Sequence, residues 1–338
     1  MKKLIIALGL ITPAVLFGQL DRSKVPAAAP AKAISIADPV VLKAANGMTV
    51  ILSENHKLPR VSFNLTVGNG QRMEGQKAGL ADLAGDLILS GTTNRSKDEI
   101  DAKSDYIGAS LNAGSRNLNL TCLTKHMDEG LKIFSDVAMN ANFPQSEFDR
   151  IVKQWESNLM SLKSSPEGMG ENALMSALFA NHPYGEVTTE ATLAKITRDD
   201  VQQYFKETFV PEGSYLVIVG DITKAKAEEV VNKYFSSWSG KSLPKVEYPS
   251  AKNLNGNRVI FVKKTGAVQS YIQVAFPLDV KIGDANNIPL NVTNSIFGGS
   301  GFGTRLMQNL RESKAYTYGS YSSVNIEPQG AYLAASGN

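Results

Sequence analysis

The sequence is poor in the residues that anchor small exported domains and metal clusters. It contains one cysteine, Cys122, among 338 residues. A single thiol excludes an intrachain disulfide and a thiolate zinc cluster. Cys122 sits in an apolar, strand-like stretch, which predicts a buried, inert thiol. Histidine is almost as scarce, with only His56, His126 and His182. An excess of one charge sign is lacking too. The formal net charge is +3, and Lys2 and Lys3 at the N-terminus supply two of those charges. The rest of the chain is close to neutral, which removes the electrostatic case for binding nucleic acid or an anionic membrane surface. No apolar run approaches the ~20 residues that cross a bilayer comfortably.

The longest apolar run, residues 4–17, follows the two lysines and ends at Gly18-Gln19. Basic start, short apolar stretch and small-residue end are the layout of a secretory signal. No cysteine follows it, so a lipid anchor is not expected. Residues 1–18 are therefore expected to be a signal peptide. The protein is expected to be exported to a periplasm or the extracellular space, touching a membrane only through that segment. Residues 19–39 are rich in Ala and Pro and read as an extended lead-in.

Hydrophobic residues make up 43% of the chain, enough for a sizeable core, and the length suits roughly two domains. Asn46-Gly47 between two short apolar runs predicts a hairpin. Strands are expected at 48–53 and 60–67, and helices at 79–89 and 97–107. The second helix is opened by Ser96 with Glu99 three residues on, a capping box. Paired strands at 110–113 and 117–123 precede long helices at 126–139, 145–162 and 166–179. A strand at 214–220 and a helix at 223–235 complete a first domain, 40–240. Gly, Pro, Ser and Asn mark 241–257 as a linker. The pattern then restarts in 258–338, with strands at 258–263 and 269–276, helices at 287–297 and 305–313, and a strand at 316–324. Both halves run strand, strand, helix, helix, strand, which predicts a diverged duplication with the second copy cut short. The expected class is α+β: two homologous domains, each a mainly antiparallel sheet packed against helices, the second incomplete.

Several short motifs occur in a telling order. They are Asn46-Gly47-Met48-Thr49-Val50, Gly79-Leu80-Ala81 before a helix, Ser90-Gly91-Thr92 after it, His182-Pro183-Tyr184-Gly185 and Val219-Gly220-Asp221. The run from Phe297-Gly298-Gly299 to Leu310-Arg311-Glu312 and Tyr318 ends the series. Their order resembles the pitrilysin/insulysin-like zinc peptidases, which include the mitochondrial processing peptidase. Active members carry His-x-x-Glu-His on the helix after Gly-Leu-Ala. Two His at i and i+4 share a helix face and hold zinc, while the Glu activates a bound water. Here the matching residues are Asp82, Gly85 and Asp86. Both imidazoles are replaced by carboxylates and the general base by glycine. The family's downstream Glu ligand falls near Glu156, Ser157 and Asn158. Peptide hydrolysis by this chain alone is therefore not expected, and neither is a cofactor within it. Asp82 and Asp86 could hold magnesium or calcium weakly, or could form a solvated helix face.

Other segments invite chemistry and read better as structure. His182-Pro183-Tyr184-Gly185 reads as a turn set by Pro and Gly with a packed aromatic. The segment 298–303 is Gly-rich, but no Gly-Lys-Ser/Thr follows it and no βαβ unit surrounds it. It resembles the family's glycine-rich turn between two helices. The resemblance also implies a substrate grip, an Arg and a Tyr seven residues later, matched by Arg311 and Tyr318. Guanidinium and phenol both donate hydrogen bonds to a peptide carbonyl. A surface ion pair and a packed ring fit the two residues equally well. In some two-subunit relatives one chain carries the zinc motif and the other the Arg and Tyr. The expected function is thus that of a non-catalytic, substrate-gripping subunit, paired with a zinc-bearing homologous peptidase subunit and acting on a peptide substrate. A purely structural subunit, a lone peptide-binding protein, and a peptidase whose zinc site lies outside this chain are the alternatives.

Overall fold

The computed structural model describes residues 38–68, 70–248 and 256–338. The expected signal segment 1–18 and nearly all of the lead-in 19–39 lie outside the described residues. Residues 39–338 form one compact unit, built from two sheets. The first lobe contains β1 (Val40–Lys43), β2 (Thr49–Glu54), β3 (Arg60–Thr66), α1 (Leu80–Leu87), α2 (Lys97–Tyr106), β4 (Ser110–Gly114) and β5 (Asn117–Leu123). It continues through α3 (Met127–Asn140), α4 (Gln145–Leu162), α5 (Pro166–Leu178), α6 (Glu190–Leu193), α7 (Arg198–Thr208), β6 (Tyr215–Gly220) and α8 (Lys224–Phe235). The second lobe contains β7 (Ile272–Leu278), α9 (Asn287–Asn294), a wide-turn π-helix at Met307–Ser313, β8 (Ser320–Glu327) and β9 (Gly330–Gly337).

Six strands form the first sheet in the order β1-β2-β6-β3-β5-β4. Only β2 and β6 run parallel; the other pairs are antiparallel. Alternation along each strand gives the sheet a dry side and a wet side. Val61, Phe63 and Leu65 of β3, with Leu118, Leu120 and Cys122 of β5, are buried. They pack with α1, α3 and α8 in a core that includes Leu83, Leu87, Phe134 and Phe235. Gly130 lets α3 approach closely, since a Cβ there would stand 3.1 Å from Leu120. Cys122 is free and buried, and burial pushes its thiol up to about 11.

The second sheet has the order β7-β9-β8 and is antiparallel throughout. Its pairing repeats that of β3, β5 and β4: the first strand of each trio pairs with the third, and the third with the second. The shared topology matches the sequence repeat in β7, the two helices and β8, while β9 was not expected from the sequence. The helix at 145–162 forms with those bounds, and the capping box at Ser96 and Glu99 closes as expected. Residues 258–263 depart from expectation. No described strand runs beside them to accept their backbone groups, and they form no ladder. Val259 is 92% and Phe261 86% exposed as a result. The strand expected at 316–324 forms as Ser320–Glu327, because Tyr316 is tied back to the preceding helix through its N–H to Leu310 O at 2.8 Å.

The lobes meet through α5 and the β8–β9 turn. Glu171 accepts from Gln273, and the Tyr271 ring lies against Gly170. Phe179 packs edge-on to Tyr332 at 5.8 Å. A Cβ on Gly330 would stand 2.7 Å from the Phe179 ring. His182, 1% exposed, is walled by Phe179, Tyr184 and Tyr248. The His182-Pro183-Tyr184-Gly185 motif is thus a packed turn at the joint. Among the described residues no helix is long and apolar enough to cross a membrane.

Candidate functional site

The helix that should carry the zinc motif is α1, and its entry is built from carboxylates. Gly79 precedes it with φ of +103°, a conformation L side chains rarely adopt. The Glu74 carboxylate caps the helix in place of a Ser or Thr at the N-cap. It accepts from the N–H groups of Gly79, Leu80 and Ala81 at 2.7, 2.9 and 2.7 Å. Glu186 in turn accepts from the N–H groups of Glu74 and Gly75 at 2.7 and 2.6 Å. Burial and the nearby Asp82 charge raise the Glu74 carboxyl, although the helix N–H groups pull it down.

Asp82 looks into a cavity of about 350 Å³ lined also by Arg72, Glu74, Arg116, Glu186 and Tyr204. Partial desolvation and the Asp86 charge raise its carboxyl, and the Ser115 hydroxyl offsets part of the rise. Asp86 accepts a hydrogen bond from Trp155 Nε1 at 2.8 Å. Both aspartates stand exposed on the helix face, with Asp86 tied to Trp155. Trp155 is the residue that α4 sends toward α1. Its successors Glu156, Ser157 and Asn158, where a third ligand was expected, are exposed. Ser157 turns its hydroxyl back to Lys153 O at 3.1 Å.

Gly85 is the most informative of the three positions. The β4–β5 turn lies directly on it. A Cβ at Gly85 would stand 2.7 Å from the Gly114 carbonyl carbon, 3.0 Å from Ser115 Cα, and closer still to Ser115 N. That turn is held from several sides. Tyr204 donates to Ser115 O at 2.9 Å. Arg116 donates through Nε and Nη2 to Val67 O at 3.1 and 2.9 Å, and through Nη2 to Gly68 O at 3.0 Å. The space a general-base side chain would need is filled by backbone.

Zinc does not fit this set. It takes imidazole or thiolate donors with at most one or two carboxylates, and α1 offers only two aspartates and an occluded glycine. Among the described residues no group of three or more His, Cys, Asp or Glu could hold a metal ion. Glu74, Ser115, Arg116, Trp155 and Glu186 were not singled out from the sequence. Glu74 lies just before α1 but matches no capping spacing, and the others reach α1 from distant segments.

Arg311 and Tyr318 lie elsewhere, and neither lines the cavity. Arg311, in the π-helix, stacks over Phe302 of the Gly-rich turn at 4.6 Å and stands 3.7 Å from Glu312. The following segment folds back on this helix end, with Ala315 N–H donating to Arg311 O at 3.0 Å. Tyr318 is 82% exposed and so is not the packed ring that was one of the two readings.

Two models of one peptidase family together match most of the chain. Insulinase (peptidase family M16) matches residues 49–192. The peptidase M16 inactive domain matches residues 195–336. An uncharacterized zinc protease YmxG of Bacillus subtilis is 25% identical over 289 residues, covering 82% of this chain and 68% of that protein. A non-peptidase homolog YmxG of Helicobacter pylori is 23% identical over 284 residues, covering 82% and 65%. The chain thus spans about two thirds of the length of these relatives. The solved structure of a peptidase M16 inactive domain from Pseudomonas fluorescens superposes with a TM-score of 0.78 at 22% identity, covering 89% of this chain and 74% of that one. With the expected order of elements and the altered motif on α1, these likenesses place the chain in the M16 (insulinase-type) peptidase family, as a member of its non-catalytic kind.

Proposed function

We propose that this protein is the substrate-gripping, non-catalytic subunit of an exported M16 peptidase, paired with a zinc-bearing homologue that supplies the metal and the general base. The contrast between its two family sites carries the reading. On α1 the general-base position is filled by the β4–β5 turn, and Asp86 is tied to Trp155. On the second lobe Tyr318 is exposed, and Arg311, half-buried, stacks on Phe302 and stands 3.7 Å from Glu312. A phenol and a guanidinium are donors suited to peptide carbonyls and to charge developing on them. Zinc is assigned to the partner, and the substrate class is peptide.

The test is zinc content and peptidase activity of the purified chain, alone and mixed with its nearest homologue carrying His-x-x-Glu-His. Activity that appears only in the mixture, and falls at least tenfold with Arg311→Ala and Tyr318→Phe together, supports the assignment. Full activity of the mixture with that double variant sinks it and leaves the purely structural subunit as the better reading. Chelator-sensitive cleavage by the chain alone would also overturn it.

A further inference from the structure

The cavity beside α1 has no role in the substrate grip proposed above, and its charges are not all paired within the fold. Its volume is about 350 Å³, at the small end of the ~300–1,000 Å³ usual for ligand pockets. Both signs of charge line it. Some are engaged locally. Lys77 pairs with Asp200 at 2.5 Å. Glu74 accepts from the N–H groups that open α1, and Glu186 from those of Glu74 and Gly75.

Four other charged groups on the wall, Arg72, Asp82, Arg116 and Glu207, are bound only to neutral groups. Arg116 donates through Nε and Nη2 to the carbonyls of Val67 and Gly68, which leaves both N–H groups of Nη1. Arg72 donates to Pro244 O. Glu207 accepts from the Gln203 amide, and Asp82 from the Ser115 hydroxyl. Among the described residues none of the four has an ion-pair partner. Tyr204 shows how closely the two signs converge. Burial raises its phenol; Arg116 opposes that rise, while Glu74 and Asp82 add to it. A guanidinium and the Asp82 carboxylate therefore act on one ring of the cavity wall. Met73, Leu80 and Pro183 supply apolar wall beside them.

These features select one class of ligand. A simple anion would meet Asp82 and Glu207 as well as the guanidiniums. A simple cation would meet Arg72 and Arg116. The interior of a peptide chain has no backbone charge, so it would desolvate both signs and answer neither. A molecule with a free ammonium, a free carboxylate and an apolar side chain answers every part of the wall. Charge complementarity of this kind sets orientation and selectivity, and guanidinium–carboxylate pairs are among the strong contacts.

We propose that this cavity binds a small apolar zwitterion, a free α-amino acid or a dipeptide. Its carboxylate lies on Arg116 and Arg72, its ammonium on Asp82 and Glu207, and its side chain against Leu80 and Pro183. The site takes the free termini that peptide hydrolysis generates, whereas the Arg311 and Tyr318 grip takes an internal carbonyl. It does not depend on pairing with a zinc-bearing homologue.

The experiment is isothermal titration of the full chain with L-leucine and with L-leucyl-L-leucine, which tells the two sizes apart. N-acetyl-L-leucine lacks the ammonium and L-leucinamide lacks the carboxylate. Wild type should bind at least one of the two zwitterions with a Kd of about 1 mM or tighter. Each blocked form should bind about tenfold more weakly or worse, the weight of one hydrogen-bonded charge. Asp82→Asn keeps the side-chain shape and removes the charge. It should weaken the zwitterion about tenfold and narrow its preference over the N-acetyl form. Arg72→Met should act likewise on the preference over leucinamide, and its exposed position keeps the test available should Asp82→Asn fold poorly. Arg116 is left unchanged because it also holds the β4–β5 turn. Neither heat nor a higher melting temperature with about 20 mM of either zwitterion overturns the proposal. Equal affinity for a blocked form, or unchanged affinity in either folded variant, overturns it as well. Phosphate bound more tightly than both zwitterions would make this an anion site and would also overturn it. The subunit-pairing test reads activity of a mixture, so the two readings fail separately.

Discussion

Replacing Gly85 by alanine separates a lost residue from a filled site. On helix propensity alone alanine should stabilise α1 by about 1 kcal/mol. The structure predicts the opposite sign. The new Cβ would stand 2.7 Å from the Gly114 carbonyl carbon and 3.0 Å from Ser115 Cα, against an ordinary carbon–carbon separation of ~3.5 Å or more. The obstacle is backbone and cannot rotate aside. The turn would have to retreat by nearly 1 Å, straining the bonds from Tyr204 to Ser115 and from Arg116 to Val67 and Gly68. Overpacking of this kind costs about 1–3 kcal/mol, and a weakened hydrogen bond adds about 0.5–1.5 kcal/mol. Net destabilisation of about 1–3 kcal/mol is expected after the propensity gain, read as a lower urea midpoint at unchanged slope. Gly85→Glu should cost more. The triple variant Asp82→His, Gly85→Glu, Asp86→His should therefore fail to bind zinc stoichiometrically while it remains folded. A Gly85→Ala protein more stable than wild type, or a triple variant holding one zinc tightly, would refute the occlusion argument.

Other outcomes follow from single contacts. Trp155→Phe removes the donor to Asp86 together with part of a ring packed on the core, and should cost about 1 kcal/mol or more in the same urea titration. Burial holds the His182 imidazole below its ordinary value of 6.5. The unfolded chain then binds a proton that the folded chain resists, so this contribution to stability is complete above about pH 6.5 and is lost as pH falls through the folded value. Urea midpoints measured across that range should drop toward acid in wild type and drop less in His182→Phe. The Asp136 carboxyl is raised by burial but held below its ordinary range by Asn94, Asn140, Thr92 and Arg95. Asp136→Asn should destabilise by about 1–3 kcal/mol and loosen residues 91–96, seen as faster amide exchange there. With the Cys122 thiol at about 11, only about a thousandth is ionised near pH 8. A disulfide reagent should react slowly until denaturant is added.

Much of the fold was legible because its signals are local. The capping box at Ser96 needs only four residues, and the Asn46-Gly47 turn needs two. Helical periodicity set the bounds of α4. The order strand, helix, helix, strand of β3-α1-α2-β4 was legible in the second lobe, whereas β9 was not expected and the strand expected at 258–263 does not form. Strand bounds in the second lobe were less legible, since a ladder depends on what lies beside it. Residues 258–263 have the composition of a strand and form none, because no described strand runs alongside.

By itself the sequence determined the class, the family and the loss of the zinc donors at Asp82, Gly85 and Asp86, since these depend on order and identity along one chain. Only the tertiary structure decided that Gly85 is closed off by Gly114 and Ser115. It alone showed that Asp86 is engaged by Trp155 from 69 residues away, and that Tyr318 stands open to solvent. The cavity that gathers Arg72, Asp82, Arg116 and Glu207 also waited for the packing that brings their segments together. Such facts are distances between segments far apart in sequence, and no local pattern of residue types encodes a distance that packing sets.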